Sequence, residues 1–150
     1  MNAEAQLDGF IDKYSPEVAA NARALLARLK TRLPGAQILV YDNYNALAIG
    51  FGASEKVGDI LLSIALYPRW INLFFMYGRA LDDPHALLAG AGSQVRHVPR
   101  VTEASLDDPR VDALIAQALD VAEPPIDPAA PQRLIVKSIS AKQRPRRPKA

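Results

Sequence analysis

At 150 residues, with 49% hydrophobic and 23% charged side chains, the chain has the size and balance of one globular domain able to bury a substantial core. The absence of cysteine excludes disulfides, thiolate metal sites, iron–sulfur clusters and a cysteine nucleophile. A net charge of +2 hides an asymmetry: seven of the 18 Lys and Arg, and no acid, fall in residues 132–150, which leaves 11 cations against 16 Asp and Glu in residues 1–131.

No apolar stretch reaches the roughly 20 residues that span a bilayer. The N-terminus, Met1-Asn2-Ala3-Glu4, lacks the basic-then-apolar pattern of a signal peptide, so a reducing cytoplasm is the expected compartment.

Apolar positions at Leu7, Phe10, Ile11 and Tyr14 have the spacing of one helix face and predict a helix over 3–14. Ser15-Pro16-Glu17 then offers an N-cap, a proline at the first helical position and an acid facing the helix dipole. The helix it opens carries Val18, Ala22, Leu25, Leu26, Leu29 and Leu33 on one stripe and stops at Pro34-Gly35. Both amphipathic faces need something to cover.

An antiparallel sheet is the expected partner, with strands over 38–41, 46–51, 59–67 and 70–77. Only Pro68-Arg69 joins the last two, so Tyr67 should face Trp70 and paired residue numbers should sum to 137. On that register Ile60, Leu62, Ile64 and Leu66 lie opposite Tyr77, Phe75, Leu73 and Ile71, and one face is continuously apolar. The other face pairs Leu61 with Met76, Ser63 with Phe74, Ala65 with Asn72 and Tyr67 with Trp70. A slip of one residue would scramble this division.

Asp83-Pro84 next reads as the cap of a short helix bearing Leu87 and Leu88, closed by Gly90-Ala91-Gly92. Residues 95–101 read as a strand that Pro99 confines to an edge or a bulge. Asp108-Pro109 repeats the cap-plus-proline device before Val111, Leu114, Ile115, Ala118 and Leu119. The expected organisation is a domain over 1–122, a Pro-rich linker over 123–131, a possible extra strand within 132–140 and a disordered basic tail over 141–150. The fold class is α+β, with N-terminal and C-terminal helices packed on a mainly antiparallel sheet of five or six strands.

Several stretches in this order carry a family resemblance: Tyr41-Asp42-Asn43-Tyr44-Asn45, then Leu66-Tyr67-Pro68-Arg69-Trp70-Ile71-Asn72-Leu73-Phe74-Phe75, then Leu81-Asp82-Asp83-Pro84 with Leu87-Leu88-Ala89-Gly90-Ala91-Gly92 and Val95-Arg96. Ser138-Ile139-Ser140-Ala141-Lys142-Gln143-Arg144-Pro145-Arg146-Arg147 completes the set. Together they resemble the YdhG-like family, a bacterial group, over about residues 11–147. The resemblance implies a small α+β fold with helices against a curved antiparallel sheet. Because some relatives are described as frataxin-like iron chaperones, it also implies iron handling as a second class of function.

The residues themselves offer no enzyme. His85 and His97 stand alone, without the converging partners of a metal site. There is no nucleophile elbow, no Ser-x-x-Lys pair and no phosphate-binding glycine loop. Glu4, Asp8 and Asp12 recur every four residues and make an acidic ridge that could hold iron weakly, or simply a solvated helix face. The second face of the hairpin is the leading candidate for binding a small molecule or a protein. There Tyr67, Trp70 and Phe74 supply contact area, Asn72 a hydrogen-bonding handle, and Arg79 or Arg96 a cation at the rim; burial beneath other elements is the alternative. The tail cations Lys142, Arg144, Arg146, Arg147 and Lys149 suit weak, salt-dependent association with nucleic acid, or docking on the acidic body. A binding or adaptor domain is therefore the first expectation, with no cofactor, and iron and nucleic acid are the alternatives.

Overall fold

Three helices cover one face of a six-stranded sheet in the computed structural model, which describes residues 1–149. Helices α1 (Ala3–Asp12) and α2 (Pro16–Arg32) precede strands β1 (Gln37–Asp42), β2 (Leu47–Gly52), β3 (Ile60–Leu66) and β4 (Ile71–Phe75). A short β5 (Arg96–Val98), helix α3 (Pro109–Asp120) and β6 (Leu134–Ile139) follow. The sheet order is β5-β4-β3-β2-β1-β6, antiparallel except for the β1–β6 pair. This is the expected α+β architecture. Among the described residues no helix is long and apolar enough to cross a membrane.

The helix starts follow from local chemistry. Asn2, Ser15 and Asp108 each accept a backbone amide from the first turn, those of Ala5, Val18 and Arg110. Each cap satisfies a donor that the helix leaves orphaned and contributes about 1 kcal/mol. Between α1 and α2, Tyr14 turns inward. Its hydroxyl donates to the Leu66 carbonyl (2.9 Å) and accepts from the Leu47 amide (3.1 Å), pinning the helical corner to β2 and β3. Leu7, Ile11, Leu25, Leu29, Leu114 and Ile115 then pack on Ile49, Leu62, Ile64, Leu73 and Phe75. Each such side chain contributes about 1.5–3 kcal/mol by leaving water.

The hairpin register is the one the two-residue connection dictates. Leu62 pairs with Phe75, Ile64 with Leu73 and Leu66 with Ile71, while the Tyr67 amide donates to the Trp70 carbonyl at 2.9 Å. The Met76 amide likewise donates to the Leu61 carbonyl at 2.9 Å, as that register requires, but the neighbouring β2–β3 ladder is irregular at the start of β3. Phe51 pairs with Leu62 but Gly52 pairs with Ile60, so Leu61 is the extra residue of a bulge. Ile60, expected opposite Tyr77 on the helix-facing side, instead lies over Gly50, where a Cβ would come within 3.0 Å of its Cδ1. Leu61, paired with Met76 as expected, is buried and lines a cavity with Phe75, Leu81 and Ala118.

Two further expectations are corrected. No helix forms after Asp83-Pro84. The Asp83 carboxylate accepts the amides of Leu87 (2.9 Å) and Leu88 (2.8 Å), too far along the chain for a helix cap, and Ala86 takes a left-handed φ of 52°. Paired backbone bonds between Ala89 and His97 draw the segment along β5 instead.

The Pro-rich linker over 123–131 runs as a strap against the end of α2. Its Asp127 carbonyl crosses so close to Gly35 (φ 80°) that any Cβ there would collide with it. Beyond the strap, Gln132 Nε2 donates to the carbonyls of Lys30 (3.1 Å) and Leu33 (2.9 Å), capping the end of α2. The strap delivers β6 parallel to β1, so residues 134–139 do complete the sheet.

The tail over 141–150 is docked through Arg147; Pro148 and Lys149 are exposed, and Ala150 lies outside the described residues. The Ser140 amide and Gln143 Nε2 donate to the Asp42 carbonyl, and the Arg144 amide to that of Tyr44. Arg146 enters the protein, 6% exposed, and bonds the fully buried Asp42 at 3.1 Å. The physical reason is charge. Asp42 ends an apolar strand on the helix-covered side and needs cations, which Arg146 and Lys13 (2.7 Å) supply. Burial by itself would raise the Asp42 carboxyl, but Lys13, Gln143 and Arg146 together hold it below its ordinary range.

Candidate functional site

With all three helices on one side, the opposite face of the sheet has no covering layer. The pleat sends Leu47, Ile49, Leu62, Ile64, Leu73 and Phe75 into the core and Ala48, Ser63, Ala65, Tyr67 and Phe74 outward. At the centre the outward residues are small. Ser63 and Ala65 are 7% and 6% exposed although no element lies over them; their larger neighbours shade them.

The result is an open hollow of about 460 Å³. Ala46, Ala48, Ser63 and Ala65 form its floor, Tyr67 and Phe74 one side, and the turn residues Asn43, Tyr44 and Asn45 with Ser140 the other. Phe74 is braced by His97, with ring centroids 5.0 Å apart. Burial raises the Tyr67 hydroxyl above its ordinary pKa, so it remains a neutral donor across the physiological range. The Arg144 guanidinium sits 5.6 Å from the centre of the Tyr44 ring and makes no ion pair among the described residues. The hollow thus offers a flat apolar floor, two aromatic rings and amide and hydroxyl groups at one end.

Of the six residues expected to form the site, the fold brings only Tyr67 and Phe74 together. Trp70, 37% exposed, belongs to a separate cleft at the hairpin's turn, with Glu17, Val18, Asn21, Arg69, Arg100 and Thr102. Asn72 is engaged by the Arg100 amide at 3.0 Å. Arg79 and Arg96 are not rim cations of this hollow. They donate to carbonyls of the Gly92–Val95 loop, Arg79 to Ser93 and Arg96 to Gly92 and Val95.

Sequence reasoning missed two groups. Arg100 lies 4.8 Å over the Trp70 ring with a left-handed φ of 55°, a conformation that costs a non-glycine residue about 1 kcal/mol. No local pattern announces it. Asp42 had a visible signal, one acid closing the strand Gln37–Asp42, whose interior is otherwise apolar or aromatic.

The alternative sites are engaged internally. Arg23 bonds both Asp8 (2.8 Å) and Asp12 (2.7 Å), and Glu4 lies 3.8 Å from Lys30, so α2 neutralises the acidic ridge. No group of three or more His, Asp or Glu placed to hold a metal ion occurs among the described residues. In the tail, Arg146 is buried on Asp42 and Arg147 donates to the Lys13 carbonyl. That leaves Lys142, Arg144 and Lys149 without ion pairs on the surface among the described residues.

Compared with known proteins, the chain matches no family model, no curated protein and no solved structure.

Proposed function

We propose that the protein is a non-catalytic binding domain and that the hollow on its uncovered sheet face takes a small planar ligand. The observation carrying this reading is the floor of Ala48, Ser63 and Ala65 between Tyr67 and Phe74, small side chains where a sheet surface would ordinarily present long polar ones. A flat ring can lie against such a floor with an aromatic neighbour beside it. Asn43, Asn45 and the Tyr67 hydroxyl then set the orientation of its polar edge. An open hollow of this size suits a ligand of one or two rings, held weakly unless a partner closes over it. The resemblance to the YdhG-like family fits a small domain without a catalytic set.

The test is a titration of one- and two-ring aromatic compounds against labelled protein, followed by amide chemical shifts. Shifts should centre on Ala48, Ser63, Ala65 and Phe74. The Ala65→Leu variant, which fills the floor from the outer face, should abolish them with the fold intact. Binding that is unaltered by Ala65→Leu, or shifts confined elsewhere, would overturn the reading.

A further inference from the structure

A second cavity lies on the other side of the sheet, where α3 meets the start of β3. It measures about 360 Å³ and is walled by Leu61, Phe75, Leu81, Ala118, Val121 and Ala122. The β3 bulge lies at its wall, where Leu61 is the extra residue. The exposed lining residues Tyr77 and Val121 mark the mouth, and the Tyr77 hydroxyl is fixed there by a 2.6 Å bond to the Gly58 carbonyl.

The lining is apolar with one consistent exception: its charged members, Asp59 and Glu123, are both acids. Neither makes an ion pair among the described residues. Asp59 Oδ2 accepts only the Ser54 hydroxyl at 2.6 Å. Arginines pair several other acids, Asp8 and Asp12 through Arg23, Glu103 through Arg28 and Asp112 through Arg32, and none of them reaches these two. Two unmatched carboxylates beside an apolar chamber are complementary to one kind of molecule, a hydrophobic body ending in a protonated amine.

We infer that this cavity is a binding site for a small aryl- or alkylamine. The apolar body occupies the space between Leu61, Phe75 and Ala118, and the ammonium group lies between Asp59 and Glu123. Size agrees: the volume falls at the lower end of the roughly 300–1,000 Å³ of small-molecule sites. The site is independent of the outer hollow, since the sheet separates them.

Phenethylamine is the probe, titrated against labelled full-length protein, with 3-phenylpropanoate and ethylbenzene as matched controls. The amine should bind with a Kd on the order of 1 mM or tighter. It should shift the resonances of Leu61, Ala118 and Val121. Ethylbenzene should bind more weakly and the carboxylate least. Asp59→Asn with Glu123→Gln should weaken the amine at least tenfold and leave ethylbenzene unchanged. Glu123→Gln alone, at an exposed position, gives a partial loss should Asp59→Asn disturb the Ser54 contact. Ala65→Leu on the outer face should alter none of this. No saturable amine binding, equal binding of the carboxylate, or amine binding indifferent to the acid substitutions would each overturn the proposal.

Discussion

Both faces of this sheet share one hydrogen-bonded ladder, yet they achieve burial by opposite means. On the helix side, Leu62, Ile64, Leu66, Leu73 and Phe75 are large and essentially inaccessible because three helices press on them. On the outer side, Ser63 and Ala65 are almost as inaccessible because they are small and stand among larger residues. Low accessibility therefore means packing energy on one face and a floor on the other. The difference separates a core from a candidate site without any reference to sequence relatives.

The largest test of the contrast compares adjacent residues. Phe75→Ala should cost about 3–5 kcal/mol of unfolding free energy in urea titrations, through lost burial and a cavity. Phe74→Ala, one residue earlier and outward, should cost only about 1–2 kcal/mol, from partial burial and the His97 contact. Equal losses would mean that the outer face is covered in solution and that the hollow is occupied by protein.

Next comes the buried carboxylate that ends β1 on the helix-covered face. Arg146→Leu leaves the buried Asp42 with Lys13 alone and should destabilise the fold by about 2–3 kcal/mol, less than a buried charge left with no partner at all. In the Asp42→Asn/Arg146→Leu double variant much of that loss should be recovered, because no unpaired charge remains. A tail that is merely apposed would give no measurable change on removal of Arg146.

The pH dependence of the same pair follows in size. The folded-state pKa of Asp42 is depressed, so its contribution is fully present above the unfolded carboxylate value of roughly 4 and is lost as pH falls through the folded value. The stability gap between the wild type and Asp42→Asn should be constant from about pH 7 to 5 and close progressively below about pH 4. Denaturation midpoints across that range would show it; a gap that persists at pH 2 would contradict the assignment.

The smallest effect concerns the strained residue at the sheet's edge. Arg100→Gly should be about 1 kcal/mol more stable than Arg100→Ala, since glycine tolerates φ near 55° and alanine does not. Equal stabilities would place no strain there, and Arg100 would lose its standing as a pinned cation over Trp70.

Much of this arrangement was legible before the fold. The cap-plus-proline signals at Ser15-Pro16 and Asp108-Pro109 fixed two helix starts, and Pro68-Arg69 fixed the hairpin register, because each is a contact within a few residues. The division into an apolar and a mixed face followed from that register, whereas only the fold decided that the mixed face is left uncovered. The fold decided the membership of the site as well. Trp70 sits at the turn, where the alternation of the pleat ends, and Arg79 and Arg96 donate to carbonyls of the Gly92–Val95 loop. The short helix after Asp83 failed because the bridge between Ala89 and His97 competes with it, a contact the local pattern does not contain.

Local chemistry in the sequence was thus sufficient for the three long helices, the first four strands, and the acidic body with its basic end. Tertiary structure alone decided where the basic end goes, that the proline-rich strap holds rather than releases β6, and that β3 begins with a bulge. Each of these depends on residues up to about a hundred positions apart, such as Arg146 and Asp42, meeting in space. A buried carboxylate draws its cation from wherever the chain can deliver one, and that choice is made by the assembled fold.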